Sequence, residues 1–232
     1  MKFYTTGVVV AASLFLFSCS GESEVKSEES NNEEVEYVEE VSPGVFKEVL
    51  PCADCEGIET IVHLKDDGTA VILETYLGED EIPYASFGEW NSDKGNVTVA
   101  FPDREIRYKA QRDAIEMVTD FDVEEATTLD YTLEKSGEKV DFSKPFWADV
   151  HYFYMADAHI VKFGGKTYPV VADSTNMEME QIFLSTPDSL REDFTSRLKL
   201  QMVEAEDMEG TNKEHAKIIE IVEIPRVAET TK

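Results

Sequence analysis

The residues of this sequence with the most chemistry to offer are Cys52 and Cys55, in the run Val49-Leu50-Pro51-Cys52-Ala53-Asp54-Cys55-Glu56-Gly57. Two thiols at this spacing can close a small disulfide ring, or as thiolates grip one soft ion, and Cu(I) is among the metals that thiolates favour. On the residues alone three readings stay open: a disulfide, a metal-binding or redox-responsive pair, and inert thiols. The disulfide leads in an oxidising compartment. Zinc is poorly served, since a single pair with no second pair or histidine beside it falls short of four ligands. Thioredoxin-like catalysis lacks the βαβ unit that would surround the motif. His63, His151, His159 and His215 are isolated in sequence and read as ordinary surface or core residues. Met177 and Met179 diverge by roughly 200° on a helix, so they do not share an ion there, whereas Met179 and Phe183 make an i, i+4 core pair.

The third cysteine, Cys19, carries a different chemistry. Met1 and Lys2, an apolar stretch from Gly7 to Phe17 and the small residue Ser18 precede it, which is the layout of a signal peptide. About ten apolar residues cover roughly 15 Å as a helix, about half of a bilayer core, so this is no transmembrane anchor. Leu16-Phe17-Ser18-Cys19 resembles the bacterial lipobox, which implies removal of residues 1–18 and covalent lipid on Cys19. Each buried methylene contributes about 0.8 kcal/mol, so two or three acyl chains hold a protein on a bilayer where one does not. Ser20 stands where Asp resembles an inner-membrane retention signal, so the cell outer membrane is the expected site, with periplasmic or surface facing both open. The acidic Glu22, Glu24, Glu28 and Glu29 resemble a surface-display signal.

A net charge of −28, from 21 basic and 49 acidic residues, excludes binding of nucleic acid or anionic headgroups through a basic face. Attachment to the lipid bilayer must then come from the acyl anchor. Between Glu22 and Glu40 there are nine Glu and one Lys, so residues 19–41 read as a self-repelling, disordered acidic tether. No nucleophile elbow, dinucleotide or phosphate-binding glycine loop, or H-E-x-x-H metal motif occurs, and Asp120 and Asp122 are one acidic pair among many. An enzyme is not expected.

The elements that must position the cysteine pair are strands. Val45 to Leu50, Ile58 to Lys65, Thr69 to Leu77, Phe87 to Asn91, Val97 to Phe101, Glu105 to Ala110 and Ala114 to Thr119 are short β-rich runs, with turn residues such as Asp66-Asp67-Gly68 and Lys94-Gly95 between them. Residues 42–140 therefore read as a small barrel or sandwich. After a junction at Asp141 to Pro145, residues 141–232 offer three strands, Phe146 to Met155, His159 to Phe163 and Lys166 to Ala172. A helix from about Asn176 to Ser185, with Thr175 or Ser174 as N-cap, follows, and then strands Ser196 to Ala205 and Ala216 to Val227. Three strands, one helix and two strands is the order of an OB-fold. The fold class is all-β.

The stretch from Pro51-Cys52-Ala53-Asp54-Cys55 through Gly57-Ile58-Glu59-Thr60, leading to Asp67-Gly68-Thr69, resembles the N-terminal domain of the copper-resistance lipoprotein NlpE family. Tyr154-Met155-Ala156-Asp157-Ala158 and Gly165-Lys166-Thr167-Tyr168-Pro169-Val170 resemble that family's C-terminal OB domain. The resemblance implies a lipocalin-like N-terminal barrel, an OB-like second domain and a lipid anchor. It also implies a non-catalytic part in copper tolerance and envelope-stress signalling, with an envelope sensor protein as partner. The alternative is a binding module holding Cu(I), at Cys52 and Cys55, or a small apolar ligand in the barrel. Some members carry a second cysteine pair in the C-terminal domain, and this chain has no Cys after Cys55, which removes that route to redox sensing.

Cys19→Ala should release the protein into the soluble fraction, because no other segment is apolar enough to hold it. A variant that stays wholly with the membranes after a high-salt wash would show that the anchor lies elsewhere.

Overall fold

The computed structural model describes residues 37–119, 129–206 and 210–223. Cys19, Asp120, Asp122, the signal segment and most of the expected tether lie outside them. The first eight strands are β1 (Gly44–Leu50), β2 (Ile58–Leu64), β3 (Thr69–Tyr76), β4 (Tyr84–Asp93), β5 (Asn96–Ala100), β6 (Glu105–Ala110), β7 (Ala114–Met117) and β8 (Thr132–Ser136). Each pairs antiparallel with the next, and β8 pairs back onto β1 through Phe46 and Lys135, so the meander closes into an eight-stranded barrel. Closure removes the edge strands. Phe46, Val62, Leu64, Ile72, Val97, Val99, Tyr108, Ile115 and Leu133 fill its interior.

β8 was not expected from the sequence. Thr132-Leu133-Glu134-Lys135-Ser136 has a single large apolar residue, Leu133, which is fully buried. One inward side chain is all that a five-residue closing strand needs, and it leaves no alternation to read.

Tyr37 to Val41, at the end of the expected tether, lie across one mouth of the barrel. Val38 N donates to Ala110 O at 3.1 Å, Gly95 N donates to Glu39 O at 2.7 Å, and Val38 and Val41 pack on the barrel core. Gly95 is required here: its φ is +76°, and a Cβ would stand 2.4 Å from Val38 O.

The second domain is built from β9 (Phe146–Met155), β10 (Ala158–Phe163), β11 (Lys166–Pro169), α1 (Ser174–Ser185), α2 (Asp188–Arg191), β12 (Thr195–Glu206) and β13 (Asn212–Glu223). β9, β10 and β11 form a meander, β12 pairs antiparallel with both β9 and β13, and a parallel bridge from Val170 to Ala216 closes the ring. This is OB topology, with α1 between the third and fourth strands of the domain.

Two details of the expected helix are corrected. The N-cap is Asp173, whose carboxylate accepts from Asn176 N at 3.0 Å, and it outcompetes Ser174 and Thr175 because a charged oxygen serves the exposed amides better. The single expected helix is also followed by the short α2. Its Arg191 donates from Nε to Phe183 O and Thr186 O, at 3.0 and 2.8 Å, satisfying carbonyls that α1 leaves open at its end.

The second core does not stop at the domain junction. Phe146, Val150, Tyr152, Val161, Phe163, Met179, Phe183, Phe194, Leu198 and Leu200 form one cluster with Val71, Leu73 and Ala85 from the outer face of β3 and β4. Phe87 of β4 sits 5.1 Å from Phe163 and 5.8 Å from Phe142, ring centre to ring centre.

Phe146→Ala should cost about 3–5 kcal/mol of folding stability, because the ring is buried against Phe142 and Phe163 in the part of the core nearest the barrel. Urea denaturation followed by circular dichroism reads this directly, and a loss under about 1 kcal/mol would show that the cluster is loosely packed.

Candidate functional site: the disulfide loop and the domain junction

β1 runs toward the barrel mouth opposite the Tyr37–Val41 strap, and its exit, Pro51 to Gly57, carries the cysteine pair. Cys52 and Cys55 are joined by a disulfide with their Cα atoms 5.4 Å apart, and both are half-buried. Cys55 Sγ lies 3.4 Å from Gly57 O, a contact without a proton because the sulfur is oxidised. Gly57 has φ +146°, and a Cβ there would lie 2.5 Å from Val49 Cγ1, so the chain leaves the ring along a path open only to glycine.

A neighbouring loop is tied to this one. Leu77 N donates to Gly57 O at 3.0 Å and Glu56 N donates to Leu77 O at 3.3 Å, a two-way backbone pair beyond the end of β3. Gly78 packs on the Glu56 side chain. Residues 79–83 then run to the second domain, where Trp147 Nε1 donates to Asp80 Oδ2 at 2.9 Å and Trp147 N donates to Pro83 O at 2.8 Å. Asp80 is held below the usual carboxylate range, first by the Trp147 hydrogen bond and then by the Ile82 amide.

Trp147 begins a row of cross-strand partners on the outer face of the second barrel. Lys199 lies 4.1 Å from the Trp147 ring centre and 2.8 Å from Glu220. One rung along, Arg197 donates twice to Asp149, at 3.0 and 3.1 Å, while Tyr84 of the first barrel donates its hydroxyl to the same carboxylate. The Arg197 guanidinium also covers the Tyr84 ring at 5.1 Å. Burial of Asp149 works to raise its pKa, but the hydrogen bonds from Arg197 and Tyr84, with the Arg197 charge, hold it below the usual range. Burial and the Asp149 bond push the Tyr84 hydroxyl up to about 12.

Cys52 and Cys55 are thus together and beside the junction. The histidines are not gathered: His159 Nε2 meets Glu180 at 2.9 Å, His215 Nδ1 meets Lys213 O at 2.9 Å, His151 meets Thr195 on an exposed face, and His63 lies on the barrel, its pKa lowered first by burial. Met179 and Phe183 are buried together while Met177 is exposed. Among the described residues no group of three or more His, Cys, Asp or Glu is placed to hold a metal ion, and no helix is long and apolar enough to cross a membrane. The junction residues Asp80, Tyr84, Trp147, Asp149 and Arg197 were not singled out from the sequence. A weak signal existed: Trp147 and Asp149 alternate with the buried Phe146, Ala148 and Val150 on a strand whose other face should have been plain surface.

Residues 46–127 match the family model of the NlpE N-terminal domain. Over these residues the first barrel is similar to an NlpE N-terminal domain. Across 149 residues the chain is 38% identical to lipoprotein NlpE of Escherichia coli K12, over 62% of this chain and 61% of that protein, so it spans about three fifths of the relative's length. Among solved structures, that of the Cpx pathway activator NlpE from Escherichia coli aligns at 24% identity and TM-score 0.32, covering 78% of this chain and 96% of that one. A lipoprotein from Shewanella oneidensis aligns at 30% identity and TM-score 0.34, covering 41% and 90%. The cysteine loop lies within the matched segment, and the closing strand β8 lies beyond it. The disulfide loop therefore belongs to the matched part of the barrel, while the rungs to Trp147 and Arg197 are made with the domain that follows.

Asp149→Asn should lower stability at pH 7 by about 0.5–1 kcal/mol, a value already discounted for the solvent around a half-exposed pair. The sign follows from the lowered pKa: the contribution is complete above the unfolded-state value of about 3.9 and is lost as pH falls through the folded value. The gap between urea titrations of parent and variant should begin to close at about pH 4 and vanish only below the lowered folded-state value; a gap that persists unchanged at acid pH would mean that the carboxylate charge is not what holds the rung.

Proposed function

We propose that this chain is a non-catalytic envelope-stress sensor or adaptor, held on the outer membrane by lipid at Cys19, which relays a signal to an envelope sensor protein. The 38% identity to lipoprotein NlpE carries this reading, because its 149 aligned residues extend beyond the 46–127 segment of the family model. NlpE of Escherichia coli is described as the activator of the Cpx pathway, and we assign this chain the same kind of role. The geometry suits an adaptor. The tether meets the barrel at one mouth, and the disulfide loop projects at the other, where Val49 and Tyr76 are exposed beside Asp54, Glu56 and Glu79. Apolar side chains ringed by carboxylates suit a partner with a basic rim.

A copper role rests on the same loop. Oxidised, the sulfurs offer no thiolate; reduced, Cys52 and Cys55 would supply two soft ligands, a set that suits Cu(I) better than zinc. Covalent lipid on Cys19 and Cu(I) at this pair are the cofactors of this reading. The barrel interior is filled by aromatic and branched side chains, so a small apolar ligand would have to displace them.

The test is functional replacement. In Escherichia coli cells lacking their own NlpE, expression of the lipidated chain should raise a Cpx-pathway reporter several-fold. A reporter that stays at its basal level while the protein accumulates in the envelope would sink the proposal.

A further inference from the structure

We propose that the Cys52–Cys55 disulfide is a redox-operated latch whose opening loosens the junction between the two domains at Trp147. The proposal builds on the sensory reading above and says how one site could sense. Cys52 and Cys55 are both only partly buried, in a loop whose Ala53, Asp54 and Glu56 are exposed, which gives a dithiol a route to the bond, and no other cysteine pair competes: Cys19 is the one further cysteine in the sequence. In the step proposed, a thiolate of the dithiol attacks one sulfur, the Cys52–Cys55 bond breaks and a mixed disulfide forms. The reductant's second thiol then displaces the protein sulfur. Two electrons and two protons pass to the protein as two thiols, and the reductant leaves as its own disulfide.

The path from the ring to the junction is short and made of directional bonds. The ring fixes the turn from Pro51 to Gly57, and the two-way backbone pair between Glu56, Gly57 and Leu77 hands that geometry to the next loop. Gly78 rests on Glu56, and the Glu79 and Asp80 amides both donate to Tyr76 O, at 3.2 and 3.1 Å, which holds the loop as a compact turn. Asp80 then uses both oxygens, accepting from Ile82 N at 3.0 Å and from Trp147 Nε1 at 2.9 Å. Pro83 O holds the Trp147 amide. Opening the ring restores backbone freedom to residues 51–57, and the first bonds to weaken are the pair at Leu77, which shares its strand end with the loop gripping Trp147. Neither Cys52 nor Cys55 belongs to the buried core of either barrel, so the effect should stay local.

Trp147 and Trp90 are the two tryptophans of the chain, and Trp90 lies toward the far end of β4 from the Tyr84–Trp147 pairing, its Nε1 donating to Lys65 O at 2.8 Å. Hydrogen exchange should therefore be measured amide by amide on the full mature chain, oxidised, reduced with dithiothreitol, and as the Cys52→Ser/Cys55→Ser variant, which opens the ring without any reductant. Exchange at the Leu77 and Trp147 amides should rise at least ten-fold in both open forms, with Phe46 and Ile115 unchanged. In a Trp90→Phe background the emission of Trp147 should move to longer wavelength over the same transition. Faster exchange at Leu77 with Trp147 unchanged would overturn the latch, because the loop would open without reaching the junction. A rise spread evenly over both barrels would also overturn it, since the ring would then be a general staple. The two proposals separate cleanly: a Cpx reporter that responds although the Trp147 amide is indifferent to the ring leaves the sensor standing and removes the latch.

Discussion

The structure depends on one strand being buried on both faces. In β3, Ala70 and Ile72 point into the first barrel, while Val71 and Leu73 point out of it into the core of the second, and all four are nearly inaccessible to water. A barrel wall with solvent outside needs apolar residues only at alternate positions. Here the outer face is apolar too, and at about 25 cal/mol per Å² the cost of exposing it to water would be large. The second domain must therefore dock against β3 and β4.

That docking sets where polar chemistry can occur. Once Phe87 and Ala85 are packed against Phe163 and Phe146, the neighbouring end of β4 is brought alongside β9, and Tyr84 pairs with Trp147 across the boundary. The polar rungs through Asp149, Arg197 and Lys199 grow outward from this contact. Each is partly exposed and individually modest in energy. Their value lies in direction: a bidentate guanidinium and an indole N–H accept only a narrow range of geometries, so they fix an orientation that the apolar contact leaves softer.

The acidic composition is consistent with this architecture. With a net charge of −28 the chain repels itself, and cations are spent where carboxylates crowd. Arg197 lies between Asp149 and Glu223, Lys199 beside Glu220, and Lys47 between Glu59 and Glu138. In the disulfide loop the Asp54 and Glu56 carboxylates face solvent. With Glu79 exposed beside them, the same imbalance leaves this mouth of the barrel negative.

The sequence by itself determined the local pieces. Alternation in Val97, Val99 and Phe101, the turns at Asp67-Gly68 and Lys94-Gly95, and the run of three strands, a helix and two strands each follow from side-chain period and backbone preference, which are short-range properties. The Cys52-Ala53-Asp54-Cys55 spacing likewise gave the pair and its three possible chemistries without any fold. Tertiary structure alone decided three things. It closed the first barrel with β8, whose lone Leu133 gives no periodic signal. It chose Asp173 as the cap of α1. It brought Asp80, Trp147, Asp149 and Arg197, up to 117 positions apart in the chain, into one row beside the disulfide loop. The reason is the reach of the forces: propensity and period act over a few residues, whereas the row exists only because two apolar faces, each legible alone as a strand, have no way to leave water except against each other.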